Sequence, residues 1–318
     1  MDRRHVLLGM GLAASGLSGA RAQSWPDKPI RLIVPYPPGG NTDIVGRLYA
    51  QKLAERLKQP VVIDNRGGAA GTIGVSVAAK SPPDGYTLVV GDSGSLVIAA
   101  IANPALAYAP LKDLAPISLV TAVSIVLCVK PDSPIRDMAD LIARARAQPG
   151  KLTLGTAGVG SPSHLAYELL ASMTGMQMLH VPYKGGAPLT TAAIGGEIDV
   201  MIDGAAFAQV KSGRLRAIAV TGPRLSALPG VPGIGEFVKG FEFTNWWGIL
   251  APAGLPAEAM RILNAELSAI AALPEVDERL TGLGLSPRSS TPAQFGDFLR
   301  AEIDKIGNVV KSAGIKFN

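Results

Sequence analysis

Two hydrophobic periods alternate along the chain. Short aliphatic runs, compact enough for buried strands, are followed by stretches in which apolar residues recur every three or four positions. Residues 30–34 form the first run, and Val45, Leu48, Tyr49, Leu53 and Leu57 then share one helical stripe. Val61-Val62-Ile63 and Leu88-Val89-Val90 predict two more strands. A long extended segment, residues 117–129, follows, and then the pattern restarts. Ser133-Pro134 is placed to open a helix to about Ala147. Leu152-Thr153-Leu154 reads as a strand, and Ser163 is placed to cap a helix through Leu170. Residues 178–181 and 198–202 add apolar runs with another helix between them. This alternation predicts an α/β protein built from βαβ units on parallel strands.

The two series share a layout. Each runs strand, Gly-rich turn, helix, strand and a second turn holding Gly-Gly-Ala, ending at Ala69 in one and Ala187 in the other. The C-terminal third differs. Residues 246–251 are its one strand, followed by helices from Pro256, from Pro274, and from Thr291-Pro292, a good N-cap and first-turn pair. One strand cannot build its own sheet, so the chain is expected to return to the first half. Two lobes then follow, residues 23–124 with 245–318 and residues 125–244. Two crossings join them, near residues 121–129 and 240–247, which is a hinge architecture.

The first 22 residues carry an address. Asp2-Arg3-Arg4 is a charged start, residues 6–17 a short apolar core, and Ala20-Arg21-Ala22 an A-x-A cleavage signal. The core is shorter than the ~20 residues of a membrane-spanning helix. No cysteine stands at the cleavage point to carry a lipid. An exported, soluble, periplasmic chain cleaved near Ala22 is expected. It leaves by the Sec route or, given Arg3-Arg4 ahead of Val6-Leu7, by the twin-arginine route. Setting these 22 residues aside from 318 leaves 296, above the usual limit of a single core. Losing Arg3, Arg4 and Arg21 with Asp2 lowers the formal charge from +5 to +3. That weak basic excess, without a Lys/Arg run, speaks against a nucleic-acid surface. Cys128, the sole cysteine, lies in an apolar run and is expected to pack. Only His164 and His180 remain in the mature chain, so no metal site and no cofactor are expected.

The unusual chemistry lies in the turns. In open α/β sheets ligands bind beyond the carboxyl ends of the strands, where helix N-termini offer unpaired N–H groups and a positive dipole end to anions. "VPYPPGGNTD" is such a turn. Pro37-Pro38 stiffens it, Gly39 and Gly40 allow close backbone approach, and Asn41 and Thr42 add donors or a cap. "GTAGVGSP" repeats the device with Ala157, Gly158, Gly160, Ser161 and Ser163. Two cradles facing across a cleft suit a small carboxylate. Each piece also has a plain reading. Gly-rich turns often serve packing alone, Asp43 suits the first turn of any helix, and Asp203 either faces the cleft or starts a turn. Tyr36 and Tyr183 either line the cleft or cap the core edge, and Trp246-Trp247 reads as core or hinge packing. No catalytic residue is expected. Ser163 and His164 are helix neighbours that do not face each other, and neither turn has the glycine spacing of a nucleotide-binding loop.

The strings "KPIRLIVPYPPGGNTDIVGRL", "QPVVIDNRGGAAG", "PPDGYTLVVG", "SHLAYELL", "HVPYKGGAP" and "APAGLP" carry a resemblance over essentially the whole mature chain. In these motifs and their order the chain is similar to the tripartite tricarboxylate transporter substrate-binding proteins, also called the Bug family. The resemblance implies a two-lobed periplasmic-binding fold, a Venus flytrap of type II character with parallel or mixed sheets. It further implies that the protein carries di- or tricarboxylates, amino acids or aromatic acids to membrane permease subunits. The two turns would hold the carboxylate through backbone N–H groups and bridging water, with Ser93, Gly94 and the segment after Asp203 lining the rest. Two departures stand out. Asn41-Thr42 replaces the family's usual Ser-Ala, and "DGAAF" from Asp203 opens a loop about two residues shorter than the family's "DNLPS" stretch, so that Phe207 makes the pocket less polar. A monomeric carboxylate receptor is expected. A ligand-sensing subunit for a membrane signalling protein is the alternative, and a carboxylate-acting enzyme with His164 or Asp203 as base comes third.

Overall fold

The computed structural model describes residues 25–317. The first part of the chain forms β1 (Ile30–Val34), α1 (Asn41–Leu57), β2 (Val61–Asn65), α2 (Thr72–Ala79), β3 (Thr87–Asp92), α3 (Ala99–Ala102), α4 (Pro110–Asp113) and β4 (Leu114–Ser124). The second part forms β5 (Val126–Val129), α5 (Met138–Ala147), β6 (Thr153–Thr156), α6 (Pro162–Thr174), β7 (Leu179–Pro182), α7 (Gly186–Gly195), β8 (Val200–Asp203), α8 (Ala206–Lys211) and β9 (Arg216–Val220). The last part forms β10 (Thr244–Pro252), α9 (Ala257–Ala271), α10 (Pro274–Gly282), β11 (Ser286–Pro287) and α11 (Pro292–Ala313).

These strands make two sheets, ordered β11-β4-β10-β3-β1-β2 and β7-β6-β8-β5-β9, and the protein is a two-lobed α/β fold. Both sheets are mixed. β1 lies parallel between β2 and β3, and β6 parallel between β7 and β8. The strands that carry the chain between lobes run the other way: β10 is antiparallel to β3 and β4, and β5 to β8 and β9. The extended segment expected over residues 117–129 is two strands. It breaks at Ile125, where the chain leaves the first sheet for the second. The return path follows β9 and re-enters the first sheet at Thr244.

The crossings are bonded to each other. The Ile125 N–H donates to Thr221 Oγ1 at 2.8 Å, and the Thr221 N–H donates back to the Ile125 carbonyl at 2.9 Å. Gly222 permits this approach, since a Cβ there would stand 2.6 Å from Ser124 Oγ and 2.6 Å from Thr244 Cγ2.

Two helix starts differ from expectation. α5 begins after Asp137, whose side chain accepts from the Asp140 N–H at 2.8 Å, while Ser133 caps only a local turn through the Ile135 N–H. α6 is capped by Ser161, and Ser163 lies inside it. Thr291 caps α11 as expected, with Gln294 returning the bond to its N–H. α11 buries Phe295, Leu299, Ile306 and Val309 on one stripe and packs along both β4 and α6. One buried cluster therefore runs from Ile33 and Val89 through Trp246, Phe295 and Leu299 to Leu165 and Leu170, spanning both lobes.

Candidate functional site

The turn from β1 to α1 is locked from behind. The Asp43 carboxylate is buried and accepts from the Gly39 N–H at 3.0 Å, Arg47 Nε at 2.9 Å and Asn65 Nδ2 at 2.9 Å. Burial alone would raise the Asp43 carboxyl, but the bonds from Arg47, Asn65 and Gly39 outweigh it and hold it below the usual carboxylate range. Asp43 is thus spent inside the turn. Thr42 Oγ1 is likewise spent, accepting from the buried Trp247 Nε1 at 2.8 Å. What stays open is the backbone. α1 starts at Gly40 with no capping side chain, so the N–H groups of its first turn have no intrahelical partner.

Beside it, the Tyr36 hydroxyl shares its one proton between the Ala70 carbonyl at 3.1 Å and Asp92 Oδ1 at 3.2 Å. Ala69 and Ala70 both hold positive φ, 46° and 54°, a strain of roughly 1–3 kcal/mol each that this bond helps to hold. Asp92 also accepts from the Ser95 N–H and hydroxyl, both at 2.7 Å. Burial pushes the Asp92 carboxyl up, and burial with the Asp92 charge pushes the Tyr36 phenol up. Ser93, just past the end of β3, is buried and hydrogen-bonds Asn245 of β10.

The second-lobe turn is closed by side chains instead. Ser161 Oγ donates to the Gly158 carbonyl at 2.7 Å and accepts from the His164 N–H at 3.3 Å. Ser163 Oγ accepts from the Ala157 N–H at 3.0 Å and pairs with Ser161 Oγ at 2.9 Å. Gly158 and Gly160 take φ of 135° and 74°, a region that favours glycine. Asp203, at the end of β8, accepts from the Ala205 N–H at 2.9 Å. Burial raises its carboxyl against that bond and the Ser163 hydroxyl.

The two turns face each other across a cleft with two chambers that share Pro162 and Asn245. The larger, about 640 Å³, takes Tyr36, Thr42 and Gly94 from one lobe and Ala157, Gly158 and Ser161 from the other. The smaller, about 460 Å³, takes Asn41, Ser163 and Asp203. Pro38, Gly39, Gly40, Asp43, Ser93 and Tyr183 line neither chamber. Among the described residues no Lys or Arg lines either chamber, and the acids that do are Asp92 and Asp203.

The family described as the tripartite tricarboxylate transporter family receptor matches residues 45–315. The chain belongs to that family. The Bordetella pertussis protein BugT is 34% identical over 322 residues, 99% of each chain. An R. palustris structure with adipate is 35% identical with a TM-score of 0.75, over 92% of this chain and 99% of that one. MatC from Rhodopseudomonas palustris with bound malate is 31% identical with a TM-score of 0.70, over 90% and 100%.

Several residues of this transporter-family receptor's cleft escape sequence reasoning. Asp92 stands beside Ser93 at a strand end, a signal that was readable. Asn245, Trp247 and Phe317 reach the larger chamber from far along the chain, and no local pattern announces them. Phe207 lines the smaller chamber with Leu283 and Gly284, which makes that end half apolar.

Proposed function

We propose that this receptor captures a small organic carboxylate in the cleft between its lobes, outside the cytoplasm, and presents it to membrane subunits of a transporter. The observation that carries this reading is the uncapped first turn of α1, opening on a cleft lined by no cationic side chain. Bare N–H groups at a dipole's positive end attract an anion without a Lys or Arg. The adipate and malate in two related structures support the ligand class. Asn41, at the helix start, meets the guest's carboxylate, Tyr36, Ser161 and Ser163 orient it, and Asp203 meets its far end. In this cycle residues 125–244 close on residues 23–124 and 245–318 about the two crossings. Closure is driven by contacts that need both lobes at once. The N-terminal segment, which lies outside the described residues, acts as the cleaved export signal.

A thermal-shift panel of mono-, di- and tricarboxylates and amino acids tests the proposal. A binder at a hundredfold over its Kd adds about 2.7 kcal/mol of apparent stability, a clear rise in Tm. A panel in which no acid moves the transition would remove the carboxylate reading.

A further inference from the structure

Two histidines lie under the second-lobe cradle and contribute no atom to the cleft lining. His164 on α6 and His180 on β7 stack with ring centroids 4.1 Å apart and planes 8° from parallel. The Gly160 N–H donates to His164 Nδ1 at 3.0 Å. That bond requires a lone pair on Nδ1 and so puts the ring proton on Nε2, which faces Glu168 Oε1 at 3.3 Å. His180 Nε2 lies 2.6 Å from Thr156 Oγ1 at the end of β6. Both imidazoles therefore tie down the Gly-rich turn, one at each end, and stacking at this distance leaves no room for two charged rings.

We infer that His164 is the positioning residue of the cradle: its neutral imidazole holds Gly160, and through it the cleft edge from Ala157 to Ser161. This rests on the reading of the cleft given above. Protonation at Nδ1 sets two N–H donors against each other 3.0 Å apart, in a place where Gly160 has no other acceptor. The edge of the larger chamber then loosens. The ionisable groups around the pair are few. α6 itself supplies Glu168 and Tyr167, whose ring centroid lies 6.4 Å from that of His180, and β7 supplies His180. β8 supplies Asp203, which lies against Ser163. On α11, packed along α6, Glu302 pairs with Lys305 and Asp297 with Arg300. The segment beyond α11 sets the Phe317 ring over Gly160, with Lys316 next in the chain. Burial and then the neighbouring His164 push His180 down to about 4.

The test is ligand affinity against pH, by calorimetry with adipate and malate as probes, in wild type, His164→Asn and His164→Leu. Asparagine keeps an acceptor near the place of Nδ1 but does not titrate; leucine keeps neither property. Wild-type affinity should be flat above neutrality and fall by up to tenfold per pH unit as one proton is taken up. H164N should bind and stay flat, and H164L should bind weakly at every pH with an unchanged far-UV spectrum. H164N with the wild-type slope, or H164L with wild-type affinity, overturns the inference. Ring nitrogen shifts in ligand-free protein give an independent reading: His164 should carry its proton on Nε2, and a proton on Nδ1 also overturns it. That measurement stands whether or not either acid binds, so a failed panel and a failed positioning role are told apart.

Discussion

Asn41 occupies the first helical position of α1, and its side chain lines the smaller chamber. Position 41 therefore answers to two demands of opposite sign. An acid in the first turn of a helix gains roughly 0.3–1 kcal/mol from the macrodipole. The same charge repels a carboxylate drawn to that dipole. Asn41→Asp should raise Tm slightly in the ligand-free protein while weakening acid binding at least about tenfold, which corresponds to 1.4 kcal/mol. Melting curves with and without the best binder of the panel measure both effects. Equal affinity in the variant would mean that the guest does not sit at this helix end. Asp43, two residues on, already carries an acid, but its charge is held by Arg47 and turned away from the cleft, so it imposes no such conflict.

The seat of α11 on β10 depends on a missing side chain. A Cβ on Gly248 would lie 2.2 Å from the Phe295 ring, which also meets Trp246 edge-on at 5.7 Å. A Gly248→Ala change forces ring and strand apart. It should cost about 1–3 kcal/mol, as overpacking does, seen as a lower urea midpoint at unchanged slope; an unmoved midpoint would mean that the helix shifts freely. Elements of this kind were only partly legible in the sequence. The strand runs at residues 30–34, 61–63 and 88–90, the helix stripe from Val45 and the Thr291-Pro292 start are local patterns, and each stands where it was expected. Ser161-Pro162 carries the same cap signal as Thr291-Pro292, so the cap of α6 was readable and Ser163 was the poorer choice. Asp137 in place of Ser133 depends on where α5 packs, and Ser133-Pro134 alone does not say that. The pairing of Ser93 with Asn245 depends on the register of β3 against β10, which no local pattern encodes.

For the molecule as a whole, three connections tie the two lobes together. Two are the crossings, joined by the paired bonds between Ile125 and Thr221 and by the Phe243 N–H donating to the Thr221 carbonyl at 2.9 Å. The third is α11, which lies along β4 in one lobe and α6 in the other. If the cleft closes as proposed above, the rotation would pivot where all three lie, with the crossings as a stiff axis rather than a loose tether. Thr221 is fully buried, and Thr221→Val keeps its shape while stripping the acceptor from the Ile125 N–H. The change should cost roughly 1–3 kcal/mol of stability, the range for an orphaned buried donor. It should also let the ligand-free protein populate wider openings. Apparent affinity falls by the fraction of molecules no longer ready to close, and small-angle scattering should show a larger radius without ligand that returns to the wild-type value once the best binder is saturating. A variant that loses stability but keeps wild-type scattering and affinity would place the pivot elsewhere, with α11 the remaining element that touches both lobes.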